Sequence, residues 1–217
     1  MMITETNHYS STKLRRLVLV LVAAIVAALG ISLAASGEAK AAGAKVVAKP
    51  FPNYSDIQIP ASGQATPYPS ELRVSGFKRG RIRDVNLYLY GFDHTYPDDV
   101  DVMLVGPTGK RAIVMSDAGG SVSVSDATLI LDDEHVDPLP DTSDFSNSFW
   151  WKPANYGVTS DTFPSPAPAS SGNSALSVFD GSRPNGTWKL YVVDDESSDG
   201  GQFSDGWLLT IKARVGG

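Results

Sequence analysis

The sequence predicts an all-β sandwich that follows an export signal. Past residue 50, short apolar runs alternate with a period of two, and clusters of Gly, Pro, Asn, Asp and Ser separate them. No window in this part repeats apolar residues at the spacing of an amphipathic helix. A period of two gives each strand one apolar face, so two antiparallel sheets can bury these faces against each other.

The N-terminal segment, residues 1–41, differs in composition from the rest of the chain. A basic stretch at 13–16 precedes an uncharged apolar run at 17–35, and small residues follow, with A-x-A-like cleavage sites at 34–36 and 39–41. This pattern predicts a signal helix that is removed on export. The alternative is an uncleaved membrane anchor, because the apolar run is close to the roughly 20 residues that span a bilayer.

The remaining chain is predicted to form a linker, residues 42–50, and one domain, residues 51–217. The full chain has 18 basic and 24 acidic residues and a net charge of −6. An acidic domain repels nucleic acid and anionic lipid, so we expect no nucleic-acid partner, and a membrane contact only through an uncleaved leader. The chain has no cysteine, so its stability must come from a core, and this fits a bacterial exported protein.

Alternating apolar residues place six strands in the domain. The predicted strands are residues 85–90, 100–105, 111–115, 127–131, 188–193 and 207–212. Trp188 and Trp207 occupy apolar positions of the last two, which predicts that both lie in the core. Residues 135–175, rich in Pro, Ser and Asp, are predicted to form a long connection of the kind found in Greek-key and jelly-roll topologies.

Several stretches of the domain resemble one known family. They include HTYPDDVDVMLVGPTG at 94–109, LSVFDG at 176–181, NGTWKLYVVDD at 185–195 and GWLLTI at 206–211. Together they are similar to the P domain (P/Homo B domain) of proprotein convertases and other subtilisin-like proteases, in a bacterial stand-alone form. The shorter matches are residues 59–63, 131–134 and 152–157, so the resemblance covers about 51–215.

The resemblance implies a galactose-binding-like jelly-roll sandwich. In that family the domain packs against a subtilisin-like catalytic domain, stabilises it and influences its calcium and pH dependence. The protease segments His-Gly-Thr-His and Gly-Thr-Ser-x-Ala do not occur in this sequence. We therefore expect a protein without catalytic residues and not an enzyme.

Acidic residues cluster in three predicted loops. Calcium takes roughly six to eight oxygen ligands, and loops at one end of a jelly roll could bring two such clusters together. Asp is also common in turns because its side chain accepts hydrogen bonds from nearby backbone N–H groups. The candidate Ca²⁺ ligands are Asp98, Asp99, Asp132, Asp133, Asp194 and Asp195.

Other residues suggest alternative functions. The aromatic residues Phe149, Trp150, Trp151 and Tyr156 lie in the long connection, where they either form a sugar- or partner-binding surface or cap the end of the sandwich. His94 follows an aspartate, but a triad also needs an elbow serine, and no Gly-x-Ser-x-Gly occurs. A structural His94, bonded to a loop carbonyl, is the preferred interpretation.

The sequence thus predicts a non-catalytic module that is secreted or held at the extracytoplasmic cell surface. Its expected partner is a secreted subtilisin-like protease or a cell-surface component, with Ca²⁺ as its one expected cofactor. A lectin-like carbohydrate binder is the alternative. An accessory role in serine endopeptidase activity follows from the family resemblance alone.

Overall fold

The computed structural model describes residues 43–144, 149–157 and 161–216. In these residues the chain forms thirteen strands and two short 3-10 helices, Pro97–Asp99 and Leu176–Phe179. The strands are β1 (Lys45–Asn53), β2 (Ile57–Ile59), β3 (Gly63–Gln64), β4 (Ser70–Val74), β5 (Arg81–His94), β6 (Val100–Val105), β7 (Arg111–Ser116), β8 (Val124–Leu131), β9 (Trp150–Trp151), β10 (Ala154–Asn155), β11 (Gly186–Asp194), β12 (Gly201–Phe203) and β13 (Trp207–Val215). All six predicted strands are present.

The strands form two sheets. Sheet 1 has the order β1-β13-β5-β12-β2, with β8 paired to β5 and β9 to β8. Sheet 2 has the order β10-β7-β6-β11-β3, with β4 also paired to β11. The chain crosses between sheets after β2, β4, β5, β7, β9 and β11, so the predicted β-sandwich is confirmed.

The pairing is not wholly antiparallel, which corrects the sequence-based expectation. β8 pairs with β9, and β7 with β10, in parallel over two residues each. Both short strands belong to the long connection. Each runs in the same direction as the earlier strand with which it pairs. Pairing over two residues is enough to satisfy the backbone N–H and C=O groups of the connection where it passes each sheet edge.

The core lies between the sheets and contains the predicted tryptophans. Trp188 and Trp207 are both fully buried. The ring of Trp188 packs 4.8 Å from that of Phe179, between centroids, and Phe92 stacks on Phe203 at 4.7 Å. Fully burying a large apolar side chain contributes roughly 1.5–3 kcal/mol, so these aromatics account for a large share of the stability.

The predicted linker, residues 42–50, becomes a strand for most of its length. Residues of β1 from Lys45 to Asn53 pair antiparallel with β13, from Val215 to Trp207. Val47 and Phe51 pack against the core. The domain therefore begins before residue 51, because the edge of β13 offers backbone partners and the alternate apolar side chains of β1 have a core to cover.

A proline-rich segment covers the outer face of sheet 2. Phe163 packs there with Met103 and Tyr191. Consecutive carbonyls of this segment accept hydrogen bonds from side chains of the sandwich: Pro164 from Tyr68 at 3.0 Å, Ser165 from Gln64 at 3.1 Å and Pro166 from Tyr191 at 3.3 Å. The aromatic residue that anchors this half of the long connection is thus Phe163, which the sequence did not single out.

The predicted signal helix, and with it the choice between cleavage and anchoring, lies outside the described residues. Within 43–144, 149–157 and 161–216, no helix is long and apolar enough to cross a membrane.

Candidate functional site

The candidate metal ligands lie at opposite ends of β5. Asp99, Asp194 and Asp195 gather around His94, the last residue of β5, in a region we name the His94 end. Asp132 instead lies beside Asp84, near the first residues of the strand. Ten residues separate positions 84 and 94, which corresponds to roughly 33 Å of extended chain. The structure thus brings two of the three acidic loops together and keeps the third apart.

His94 is locked between two partners. Its Nδ1 lies 2.8 Å from the Tyr96 carbonyl oxygen and 3.2 Å from the Tyr96 amide nitrogen, and its Nε2 lies 3.2 Å from Asp194 Oδ2. The side chains of His94 and Asp194 are both 0% exposed. Nδ1 either donates to the Tyr96 carbonyl or accepts from the Tyr96 amide, depending on the tautomer, and Nε2 faces the Asp194 carboxylate in both cases. The structural role predicted for His94 agrees with this geometry.

The His94–Asp194 pair joins the two sheets. His94 belongs to β5 in sheet 1 and Asp194 to β11 in sheet 2. Each lies two residues after a core residue of its strand, Phe92 and Val192, so each side chain is on the face that points into the sandwich. Burial raises the pKa of Asp194, against the lowering effect of the neighbouring His94. Asp194 Oδ1 has no hydrogen-bond partner.

Asp99 closes the same end from the loop that follows β5. Burial and the nearby Asp194 raise its pKa from 3.8 to about 6, and His94 opposes the rise. The backbone N–H of Asp195 donates to the Asp99 carbonyl at 3.0 Å. This bond ties the loop after β5 to the loop after β11, so the two predicted acidic loops meet through the backbone as well as through charge.

Asp101 extends the His94 end onto the outer face of sheet 2. Its neighbours Val100 and Val102 point into the core, so Asp101 lies on the opposite face of β6, the face of Met103. Its side chain is nevertheless only 2% exposed. Burial raises its pKa from 3.8 to about 8, a hydrogen bond from Ser116 lowers it, and Asp161, Asp195 and Asp117 raise it further. Its Oδ2 has no hydrogen-bond partner.

The two remaining candidate ligands, Asp98 and Asp133, contact other parts of the chain. Asp98 receives a backbone hydrogen bond from Gly120, and its pKa is raised chiefly by burial, with smaller contributions from Asp117 and Asp141. Asp133 accepts from the N–H groups of Leu176 at 2.9 Å and Ser177 at 2.7 Å. Both its oxygens thus accept from the first backbone N–H groups of the second 3-10 helix, so Asp133 has a structural role there.

A second group of carboxylates forms at the start of β5, which we name the Asp84 end. Asp84, Asp132 and Glu134 present oxygens that all lie within 4.8 Å of one another. Lys212 Nζ lies 2.6 Å from Asp84 Oδ2. A hydrogen bond with Asp132 and burial raise the pKa of Glu134 from 4.5 to about 7.

The four predicted aromatic residues do not form one surface. Trp151 pairs with Leu131 and packs against the core, as does Tyr156, whose hydroxyl donates to the Leu139 carbonyl. Trp150 pairs with Ile130 and so occupies the opposite face of sheet 1. Phe149 is 63% exposed. Only Phe149 and Trp150 remain for a partner or sugar surface.

The candidate ligands chosen from the sequence omit several residues of both ends. Asp101 belongs to the same acidic cluster as Asp98 and Asp99, and it lies inside an apolar strand where a charged side chain is unexpected. Asp84, Asn86 and Lys212 could not be found from the sequence, since their proximity depends on the register of β5 with β13 and β8. That register follows from tertiary packing.

Comparisons with known proteins found two solved structures that match over most of this chain. No family model matches the sequence, and no curated protein matches it significantly. Two solved structures are similar: a serine protease of Aeromonas sobria in complex with its chaperone, at 14% identity and a TM-score of 0.39, and the serine protease of A. sobria, at 15% identity and 0.38. The matches cover 79% and 77% of this chain, but only 28% and 27% of those chains. This chain therefore spans about a quarter of the structures it matches, and no residue role is carried over from them.

Proposed function

We propose that this protein is a non-catalytic, exported β-sandwich module that binds and stabilises a secreted or cell-surface serine protease. The sequence resemblance to the P domain supports the protease partner. The observation that carries the non-catalytic role is the state of His94, whose two ring nitrogens are engaged inside the sandwich.

A general base must reach the proton that it removes from a substrate or nucleophile. Nδ1 of His94 is occupied by Tyr96 and Nε2 by Asp194, and both side chains are 0% exposed. A substrate could contact the ring only after the two sheets separate at this end. His94 and Asp194 resemble part of a catalytic triad in composition, but they act here as a buried link between sheets.

The partner is tested by capture combined with active-site labelling. The protein, purified as it is exported and immobilised, is exposed to culture supernatant of its source treated with a fluorophosphonate that labels active serine hydrolases. We expect a labelled protease to be retained, and its half-life at raised temperature to lengthen when the soluble module is added. If the immobilised module retains no labelled protein, the proposal is wrong. Casein hydrolysis by the purified protein itself, lost in His94→Ala, would replace it with an enzymatic function.

We propose Ca²⁺ as the cofactor of the His94 end. Asp99, Asp194 and Asp195 are the candidate ligands that the fold brings together, and the buried Asp194 Oδ1 has no partner. An unpaired carboxylate oxygen is a costly group to bury, and a hard cation would satisfy it. We expect Ca²⁺ to raise the melting temperature and Asp195→Asn to reduce that rise. An identical melting temperature in excess Ca²⁺ and in chelator would exclude the site.

Carbohydrate binding is the second candidate, and one observation favours it. Phe149 is largely exposed next to Trp150, and exposed aromatic side chains can stack on sugar rings. Retention of the protein on insoluble polysaccharide, lost in Phe149→Ala, would support this function. Val136→Ala is the matched control, because Val136 is also an exposed apolar residue and lies outside the aromatic set.

A further inference from the structure

Two adjoining clefts near the first residue of β5 are lined by basic side chains. Cleft 1 has a volume of about 670 Å³, cleft 2 has a volume of about 470 Å³, and Phe77 lines both. We propose that these basic clefts bind a short acidic peptide segment of a partner protein. The proposal goes beyond the proposed function, because it does not require that the partner is a protease. The basic side chains among the described residues that line the two clefts are Lys45, Lys49, Lys78, Arg79, Arg81 and Arg183.

The charge of the clefts differs from that of the chain as a whole. The sequence has 18 basic and 24 acidic residues, yet no Asp or Glu is among the described residues that line either cleft. Within the described part of the chain, the side chains of Lys78 and Arg183 form no hydrogen bond or ion pair. A cleft lined by charges of one sign focuses their field and concentrates ligands of the opposite sign. The basic clefts therefore attract anionic groups although the whole protein is acidic.

Buried contacts hold the walls of cleft 1 in place. The Phe77 N–H donates to Asn185 Oδ1 at 3.1 Å, and Asn185 Nδ2 donates to the Phe77 carbonyl at 2.8 Å. The Trp188 indole N–H donates to the Pro184 carbonyl at 2.9 Å. These bonds join the loop before β5 to the loop before β11, which carries Arg183. A site that is already ordered loses little conformational entropy when a ligand binds.

The residue types favour a ligand whose carboxylates lie next to apolar groups. Three of the six basic side chains are arginines, and a planar guanidinium can donate two parallel hydrogen bonds to one carboxylate. Cleft 2 also includes Val47 and Val215, and Lys49 Nζ lies 5.3 Å from the centroid of the Phe77 ring. This mixture of cationic and apolar surface matches a peptide that carries Asp or Glu beside aliphatic residues.

Neighbouring carboxylates limit the length of the ligand. Arg83 follows Arg81 by two positions and lines a small cavity together with Asp84, Glu134 and Asp180. A long polyanion would approach these carboxylates, whereas a short segment can stay within the basic clefts. At physiological ionic strength, charges more than about 8 Å apart are largely screened, so such a segment interacts with the cations of the clefts and little with the acidic remainder. A peptide segment therefore fits better than nucleic acid or polyphosphate.

The test measures the fluorescence anisotropy of a short labelled peptide in which Asp alternates with Leu, titrated with the exported protein at neutral pH. The same peptide with Asn in place of Asp is the neutral control. We expect the Asp peptide to bind and the Asn peptide not to bind. The affinity should fall as NaCl is added, because salt screens exposed charges. No binding of the Asp peptide up to about 1 mM protein, or equal binding of the Asn peptide, overturns the proposal.

Arg81→Gln combined with Arg183→Gln assigns the binding to the clefts. Loss of two arginine–carboxylate contacts should weaken binding by roughly tenfold, while the melting curve stays close to that of the wild type because both side chains are exposed. Arg73→Gln combined with Lys152→Gln is the matched control. It changes the net charge by the same amount at exposed positions outside the clefts, and should leave the affinity within about twofold. Equal weakening in both double variants would mean that net charge alone attracts the peptide, and the clefts would not be the site.

Competition separates a peptide site from a general polyanion surface. Unlabelled Asp peptide should displace the labelled peptide, whereas sodium polyphosphate at the same concentration of negative charge should displace it much less. If polyphosphate is as effective as the peptide, the clefts bind anions of any kind and the proposal is wrong. None of these measurements uses a protease, so their outcome is separate from that of the protease capture.

Discussion

The two ends of β5 gather carboxylates in different surroundings, and the difference shows how a β-sandwich accommodates acidic side chains. At the His94 end, Asp194 and Asp101 are almost fully buried, and the basic partner of Asp194 is a histidine. At the Asp84 end, Lys212 is half exposed and its ion pair with Asp84 opens to solvent. The first arrangement links the two sheets, and the second lies on the outside of one. We therefore expect changes at the His94 end to cost much more stability than changes at the Asp84 end.

The largest expected effect is that of His94→Leu. This change leaves Asp194 buried without its partner, and breaking a buried pair in this way typically costs about 3–5 kcal/mol of unfolding free energy. Denaturant unfolding followed by tryptophan fluorescence measures the loss. The double variant His94→Leu with Asp194→Leu should lose less than the sum of the two single changes, because the unpaired charge is gone. A loss below about 1 kcal/mol in His94→Leu would show that the pair does not hold the sheets together.

The second prediction uses the buried Asp101. Its pKa rises from 3.8 to about 8 on folding, so between those values the native state binds a proton that the unfolded state has lost. The contribution of Asp101 is therefore fully present below about pH 4 and is lost as the pH rises towards 8. In chelator, we expect stability to fall over this range, with a limit of about 1.4 kcal/mol per pH unit for one group.

Asp101→Asn tests this assignment because it mimics the protonated acid. Urea unfolding at pH 5, 6.5 and 8 should show a shallower loss of stability than in the wild type, and a more stable protein at pH 8. Asp56→Asn, at an exposed position, is the control and should keep the wild-type dependence. If Asp101→Asn follows the wild-type pH curve, the side chain is already ionised in the folded protein.

More of the fold than of the candidate site could be predicted from the sequence, and the reason is physical. Alternation identified β5, β6, β7, β8, β11 and β13 because each has one face in the core, and that face is visible in a single segment. It missed β1 because its apolar positions are separated by prolines and lysines and become buried only against β13. Such an edge strand forms because a neighbouring strand offers backbone partners, and the composition of the segment alone does not reveal that neighbour.

The candidate ligands show the same limit at the level of single side chains. Asp99, Asp194 and Asp195 could be grouped from sequence, because the loops of a sandwich converge at its ends. The sequence left open which two of the three clusters would meet, and the direction of β8 carries Asp132 and Asp133 to the other end of β5. Asp133 then caps a helix through backbone N–H groups more than forty positions away, a contact that no local motif announces.

The third prediction follows from that cap. Asp133→Ala removes the acceptor for two backbone N–H groups of the second 3-10 helix, and loss of such a cap costs about 1 kcal/mol. Hydrogen exchange should be faster at Leu176 and Ser177, while exchange in β5 stays slow. Unchanged exchange at these two amides would mean that solvent replaces the carboxylate without cost, and that Asp133 is available as a ligand.

The smallest expected effect is that of Lys212→Gln on stability in chelator. The ion pair with Asp84 is partly exposed, and pairs of this kind contribute about 0–1 kcal/mol. A loss within this range would show that the Lys212–Asp84 pair contributes little to stability, as expected for an ion pair that solvent reaches. A loss as large as that of His94→Leu would erase the contrast between the ends, since both would then depend on a buried charge pair. Denaturant unfolding of both variants under the same conditions decides between these outcomes.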